Sequence, residues 1–85
     1  MSVHPTDFVG SVEDAIATSV KAKLPDAVVT VAGGGGHYRI DVISTAFAGK
    51  SLLDSQRLVL SAIKHLINGE RAPVHAVDSL VTRTP

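Results

Sequence analysis

The side chains in this sequence best suited to chemistry are two histidines, His37 and His75, in a chain that contains no cysteine. A neutral imidazole is a competent ligand for iron or zinc, and histidine takes the place of cysteine on some iron–sulfur centres. Two imidazoles cannot complete a tetrahedral site, so sulfur or oxygen ligands would have to come from another molecule. Each histidine stands near the start of a stretch with strand character. From the residues alone, an ordinary solvated histidine at a strand start is the competing reading for both. The other histidines offer less, His4 lying near the N-terminus and His65 at a surface position of a helical pattern.

The elements that must position this pair are legible as patterns. Residues 1–5 read as a short flexible tail. Ser11 and Asp14 form an S-x-x-D capping pattern, and Val12, Ile16 and Val20 recur at helical spacing up to the stop at Pro25, giving an expected helix over about 7–23. Residues 27–31 are a short run rich in β-branched side chains, hence a strand. Four glycines, 33–36, follow and are expected to form a flexible hairpin loop. From His37 the sequence alternates, with Tyr38, Ile40 and Val42 on a buried face and His37, Arg39 and Asp41 on a wet one. Residues 47–51 form a turn, and Ser51 is the candidate N-cap of a helix over 52–67 that ends at Asn68-Gly69. Pro73 precedes a last strand from 74 to 81 or 82, in which Asp78 disturbs the alternation.

This order, helix-strand-strand-helix-strand, predicts a single small α+β domain. A hairpin followed by a strand–helix–strand crossover gives a mixed three-stranded sheet with both helices on one face. Parallel second and third strands would bring the starts of both, and so His37 and His75, to one end of the sheet and one face.

Composition narrows the function classes. A hydrophobic fraction of 45% with 19% charged residues is globular, and 85 residues make one domain near the lower size limit for independent folding. The lack of cysteine fits a reducing compartment. No secretory signal precedes an apolar run, and no run approaches the roughly 20 residues of a membrane span, so a cytoplasmic protein is expected. Net charge is zero, yet acids predominate over residues 1–30 and bases over 50–71, where Lys50, Arg57, Lys64 and Arg71 recur every seven residues. Such asymmetry marks either a docking face or a merely solvated surface. Ser44, Ser51 and Ser61 are available nucleophiles, with Asp41, Asp54 and Asp78 as orienting acids, but no elbow turn or base accompanies them, and no enzyme is expected. The glycines contain G-x-x-G, which in KH domains joins two helices and here joins two strands. Gly49-Lys50-Ser51 resembles the end of a P-loop, but Ser44 stands where that motif needs glycine.

Taken together, Tyr38 after His37, Phe47-Ala48-Gly49-Lys50-Ser51, Arg57, Val74-His75-Ala76 and the closing Thr82-Arg83-Thr84-Pro85 resemble the BolA family over about fifty residues. The resemblance implies a BolA-like fold, related to class II KH-like folds. It also implies an accessory protein of iron–sulfur metabolism that pairs with a monothiol glutaredoxin around a glutathione-associated 2Fe–2S cluster. In such proteins the histidine of the Val-His-Ala motif ligates the cluster, and His75 occupies that place. A second ligand comes from a histidine or cysteine in the hairpin loop. That loop is here reduced to glycine, and His37 at the adjacent strand start is the substitute. Many members have a histidine where this chain has Gln56, which can replace a hydrogen bond but cannot titrate near neutrality. The partner is expected to dock at the His75 end, with Lys50, Arg57, Lys64, Pro73 and Ala76 in contact, and the isolated chain is expected to hold no cluster. The runner-up, also attributed to some members, is a DNA-binding transcriptional regulator using the basic helix of residues 50–71. A weak DNA interaction and a homodimer are both compatible with this sequence.

Overall fold

The computed structural model describes residues 11–69 and 71–85. Ser11 has extended backbone, and its side-chain oxygen accepts from the Asp14 N–H at 3.2 Å, so helix α1 runs Val12–Lys23. The start is therefore later than the expected residue 7. Positions 7–10 and the expected 1–5 tail lie outside the described residues. The helix buries Ile16 and Val20, and Leu24 closes its apolar stripe.

Strands β1 (Val28–Gly34) and β2 (His37–Ile43) form an antiparallel hairpin. Gly33 and Gly34, expected in the loop, are paired with Tyr38 and His37, which leaves only Gly35 and Gly36 as the turn. Both have positive φ, 62° and 86°, as a type I′ hairpin turn demands. Gly33 also has positive φ, and a Cβ there would strike the backbone carbonyl of His37. The expected flexible four-glycine loop is thus a two-residue turn, and Gly36 is buried.

After β2, a short 3₁₀ turn (Thr45–Phe47) is pinned by Asp26, whose carboxylate accepts from the Ser44 hydroxyl at 2.6 Å, the Thr45 N–H at 2.8 Å and the Thr45 hydroxyl at 2.7 Å. These bonds, Ser44 first, hold the Asp26 carboxyl down at about 2. Helix α2 (Leu52–Ile67) is capped by Ser51, which accepts from the Asp54 N–H at 3.1 Å, and it buries Val59, Ile63 and Leu66. Gln56 donates its amide to the Leu80 carbonyl at 3.3 Å, a structural bond tying α2 to the last strand.

That strand, β3 (Ala76–Arg83), lies parallel to β2, and the sheet order is β1-β2-β3. It begins two residues later than expected because Val74 is fully buried and its N–H goes to the Leu66 carbonyl of α2. Helix α1 packs on β1, α2 on β3, and the helices on each other. Ile16, Val20, Tyr38, Ile40, Val42, Val59, Ile63 and Val74 form one core between helices and sheet. The architecture is the predicted mixed three-stranded sheet with both helices on one face. Among the described residues no helix is long and apolar enough to cross a membrane.

Candidate functional site

Two independent devices bring the histidines together. Along β2, pleating buries Tyr38 and sends His37 to the open face. At the crossover, the carbonyl of Gly36 accepts from both the His75 N–H, at 2.7 Å, and the Ala76 N–H, at 2.9 Å. The residue before His37 thereby anchors His75. Both side chains are exposed, and their ring centroids lie 5.5 Å apart with the planes inclined at 56°.

That spacing suits shared metal ligation. Two imidazoles bound at about 2.0–2.1 Å to one metal with a tetrahedral angle have ring centres roughly 5–5.5 Å apart. Among the described residues no three His, Cys, Asp or Glu gather to hold a metal by themselves. The pair thus has the chemistry of an incomplete site, two neutral nitrogen ligands that need anionic ligands from elsewhere. Tyr38, beside His37, adds no phenolate, because burial, with a contribution from Glu13, pushes its ionisation upward.

Asp78 joins the pair, a neighbour the sequence did not reveal. Its Oδ1 lies 3.2 Å from His37 Nδ1, with both side chains about half exposed. The available signal was the spacing of Val77 and Leu80, both packed against the core but three residues apart. Strand alternation cannot place residues i and i+3 on one face without an inserted residue.

The other expected site residues separate into groups. Lys64 and Ala76 line, with His75, Leu60, Ile67 and Val77, an open groove of about 450 Å³ between α2 and β3. Lys50 and Arg57 are not part of it. Lys50 precedes the first turn of α2 and Arg57 lies in its second, whereas His75 sits beside the last turns of a helix about 24 Å long. Arg57 is also 4.0 Å from Asp54 in an exposed pair. Pro73, expected to contact the partner, is buried two residues before His75. The seven-residue spacing of the bases therefore does not produce one surface at the histidine end. Arg83, in the closing motif, bonds Asp41 at 3.0 Å across β2 and β3. The candidate serines have structural tasks, Ser44 on Asp26, Ser51 capping α2, and Ser61 bonded to Leu58 and Lys23. His65, placed at the surface, meets Ser19 of α1 at 3.3 Å.

A small α+β domain that presents a histidine pair at one end of a mixed sheet is the class defined by this fold and site. The family model for BolA-like protein matches residues 12–85. Human BolA-like protein 1 is 33% identical over 87 residues, covering 91% of this chain and 61% of its own length. The bovine protein of the same name is likewise 33% identical over 87 residues, 62% of its length. The chain thus spans about three-fifths of the length of these curated relatives. The BolA domain of SufE1 from Arabidopsis thaliana superposes with a TM-score of 0.72 at 28% identity, covering 92% of this chain and 96% of that one. The solution structure of mouse BolA1 gives 0.71 at 30% identity, covering 100% and 74%. The chain belongs to the BolA-like protein family.

Proposed function

We propose that this protein is an accessory factor of iron–sulfur metabolism that works by binding and not by turnover. It docks on a monothiol glutaredoxin and adds His75, with His37 beside it, to the ligands of a bridged 2Fe–2S cluster whose thiolates come from the partner and glutathione. The observation that carries this reading is the 5.5 Å spacing of two exposed imidazoles, matched to a common metal and lacking any thiolate of their own. Family membership supplies the chemical class of the ligand. A cluster held in this way has imidazole where others have thiolate, so it carries less negative charge and a higher potential, which suits transfer or sensing.

The chain's own contribution is to hold the two imidazoles at fixed spacing. The Gly36 carbonyl fixes the His75 backbone, the hairpin register fixes His37, and buried Val74 and Tyr38 prevent either residue from rotating into the core. The groove beside His75, lined by aliphatic side chains and Lys64, is the surface offered to the partner. The DNA-binding reading has less support, because the chain has no net positive charge and the bases of residues 50–71 are not gathered at the histidine end.

The test is reconstitution of the chain with a monothiol glutaredoxin, iron, sulfide and glutathione. A coloured heterocomplex is expected, whereas the chain alone should hold no stable cluster. His75→Ala should change the visible absorption or circular dichroism and shorten the cluster's lifetime. An unchanged spectrum and lifetime, with the fold intact, would overturn the ligand role of His75.

A further inference from the structure

The pairing of β2 with β3 is regular except at one point. His37 and Tyr38 face Ala76 and Val77, but Arg39 faces Ser79, leaving Asp78 as an extra residue in β3. The insertion lets Val77 and Leu80 both reach the core and releases Asp78 from the alternation. Bulges are rare in parallel pairs, concentrate beside functional sites and re-aim a side chain. Here the freed carboxylate reaches across the strand to His37, Oδ1 to Nδ1 at 3.2 Å.

We infer that Asp78 is a positioning residue for His37. Its carboxylate accepts a hydrogen bond from Nδ1–H, fixes the imidazole in the tautomer protonated at Nδ1, and so leaves Nε2 as the unprotonated nitrogen that would be free to ligate a metal. Which ring nitrogen of a histidine carries the proton is set by the hydrogen bond made by the other. Ligating histidines commonly donate their second nitrogen to a carboxylate, which holds the ring and raises its basicity as a ligand. Asp78 itself is not a ligand, since the oxygen nearest the ring is engaged at the nitrogen opposite the coordinating one. The extra residue also compensates for the short hairpin loop. With only Gly35 and Gly36 at the turn, no side chain there can ligate or orient a ligand, and the orienting group comes from β3 instead.

This inference rests on the cluster-ligand reading above, and the experiment separates the two. Long-range ¹⁵N–¹H correlation spectra of the apo protein, recorded well above the ordinary imidazole range, report the tautomer of each histidine without metal or partner. Wild-type His37 should be predominantly the Nδ1–H form. Asp78→Ala should shift it toward the Nε2–H form favoured by free histidine, and Asp78→Asn, which keeps an acceptor oxygen, should retain much of the Nδ1–H population. His75 and the dispersion of the backbone spectrum should be unchanged in both variants. In the reconstituted heterocomplex, Asp78→Ala should shorten cluster lifetime about 10-fold or more, the scale typical of a lost outer partner. It should add nothing in a His37→Ala background. A His37 tautomer that is the same with and without Asp78 overturns the positioning role whatever the cluster does. An Asp78→Ala effect undiminished in the His37→Ala background also overturns it, since the carboxylate would then act elsewhere. If His75→Ala leaves the complex unaltered, the ligand reading of the previous subsection fails, while the apo spectra still decide whether Asp78 sets the His37 tautomer.

Discussion

Replacing Gly33 by alanine tests the hairpin register on which the site depends. Gly33 is paired with Tyr38 at a φ of 136°, a backbone region that L residues rarely enter. Forcing alanine there costs about 1–3 kcal/mol in backbone strain. The added Cβ would also collide with the His37 carbonyl oxygen and come within 2.9 Å of the Tyr38 Cα, both backbone atoms that cannot swing aside. Relieving such overpacking costs roughly another 1–3 kcal/mol. The total of about 2–6 kcal/mol is a large share of the roughly 4–13 kcal/mol expected for a domain of this length. At about 4–8 °C per kcal/mol, Tm should fall by about 8 °C or more. Gly34→Ala is the control, because its Cβ meets nothing within 4 Å and its φ is not positive. Thermal unfolding followed by circular dichroism compares the two. A Gly33→Ala protein melting within about 2 °C of wild type, or an equal loss in Gly34→Ala, would refute the register and the close approach that motivates the substitution.

Three further outcomes are expected. The Asp26 carboxyl, held at about 2 against an ordinary 3.8, contributes stability that is present above pH 3.8 and is lost as pH falls toward 2. Asp26→Asn should therefore flatten that part of the acid-unfolding curve, and an unaltered acid limb would show that the Ser44 and Thr45 bonds do not form in solution. His75→Ala should cost the apo fold about 0.5 kcal/mol or less in urea unfolding, since the side chain is exposed and the anchoring bonds to Gly36 are made by backbone. Affinity for arbitrary duplex DNA at physiological salt should be no tighter than the non-specific range of about 10⁻⁴–10⁻⁶ M, so a nanomolar, sequence-specific complex of the isolated chain would reverse the order of the two functional readings.

The parts of this fold that announce themselves in sequence are those governed by local chemistry. Ser11 and Ser51 were recognisable as caps because a hydroxyl three residues before a free N–H has one obvious partner. Tyr38, Ile40 and Val42 declared their burial by alternation, and the meeting of His37 with His75 followed from the parallel crossover. The strand pairing of Gly33 and Gly34 is silent in the sequence, because glycine has no side chain with which to signal a strand face. The burial of Pro73 has no local signal, since it depends on how the segment before β3 settles against the rest of the fold. The role of Asp26, one of the acids over residues 1–30, is hidden from local pattern because its partners lie 18 and 19 residues away. Asp78 was visible as an irregularity, but the carboxylate's target lies 41 residues back and depends on how β3 is placed against β2.

The pair of hydrogen bonds accepted by the Gly36 carbonyl also bears on when the two imidazoles meet during the protein's own synthesis. His37 emerges with the hairpin, but His75 reaches it only after α2 has been made and the chain has turned back to lay down β3. A nascent or partly unfolded chain therefore displays two unrelated imidazoles, each a weak and unselective ligand. The paired imidazoles exist only once the crossover closes, so under the proposed function the capacity to share a cluster would be a readout of the finished fold. A copy that had lost β3 pairing would lose the pair at the same moment, with no separate quality check needed.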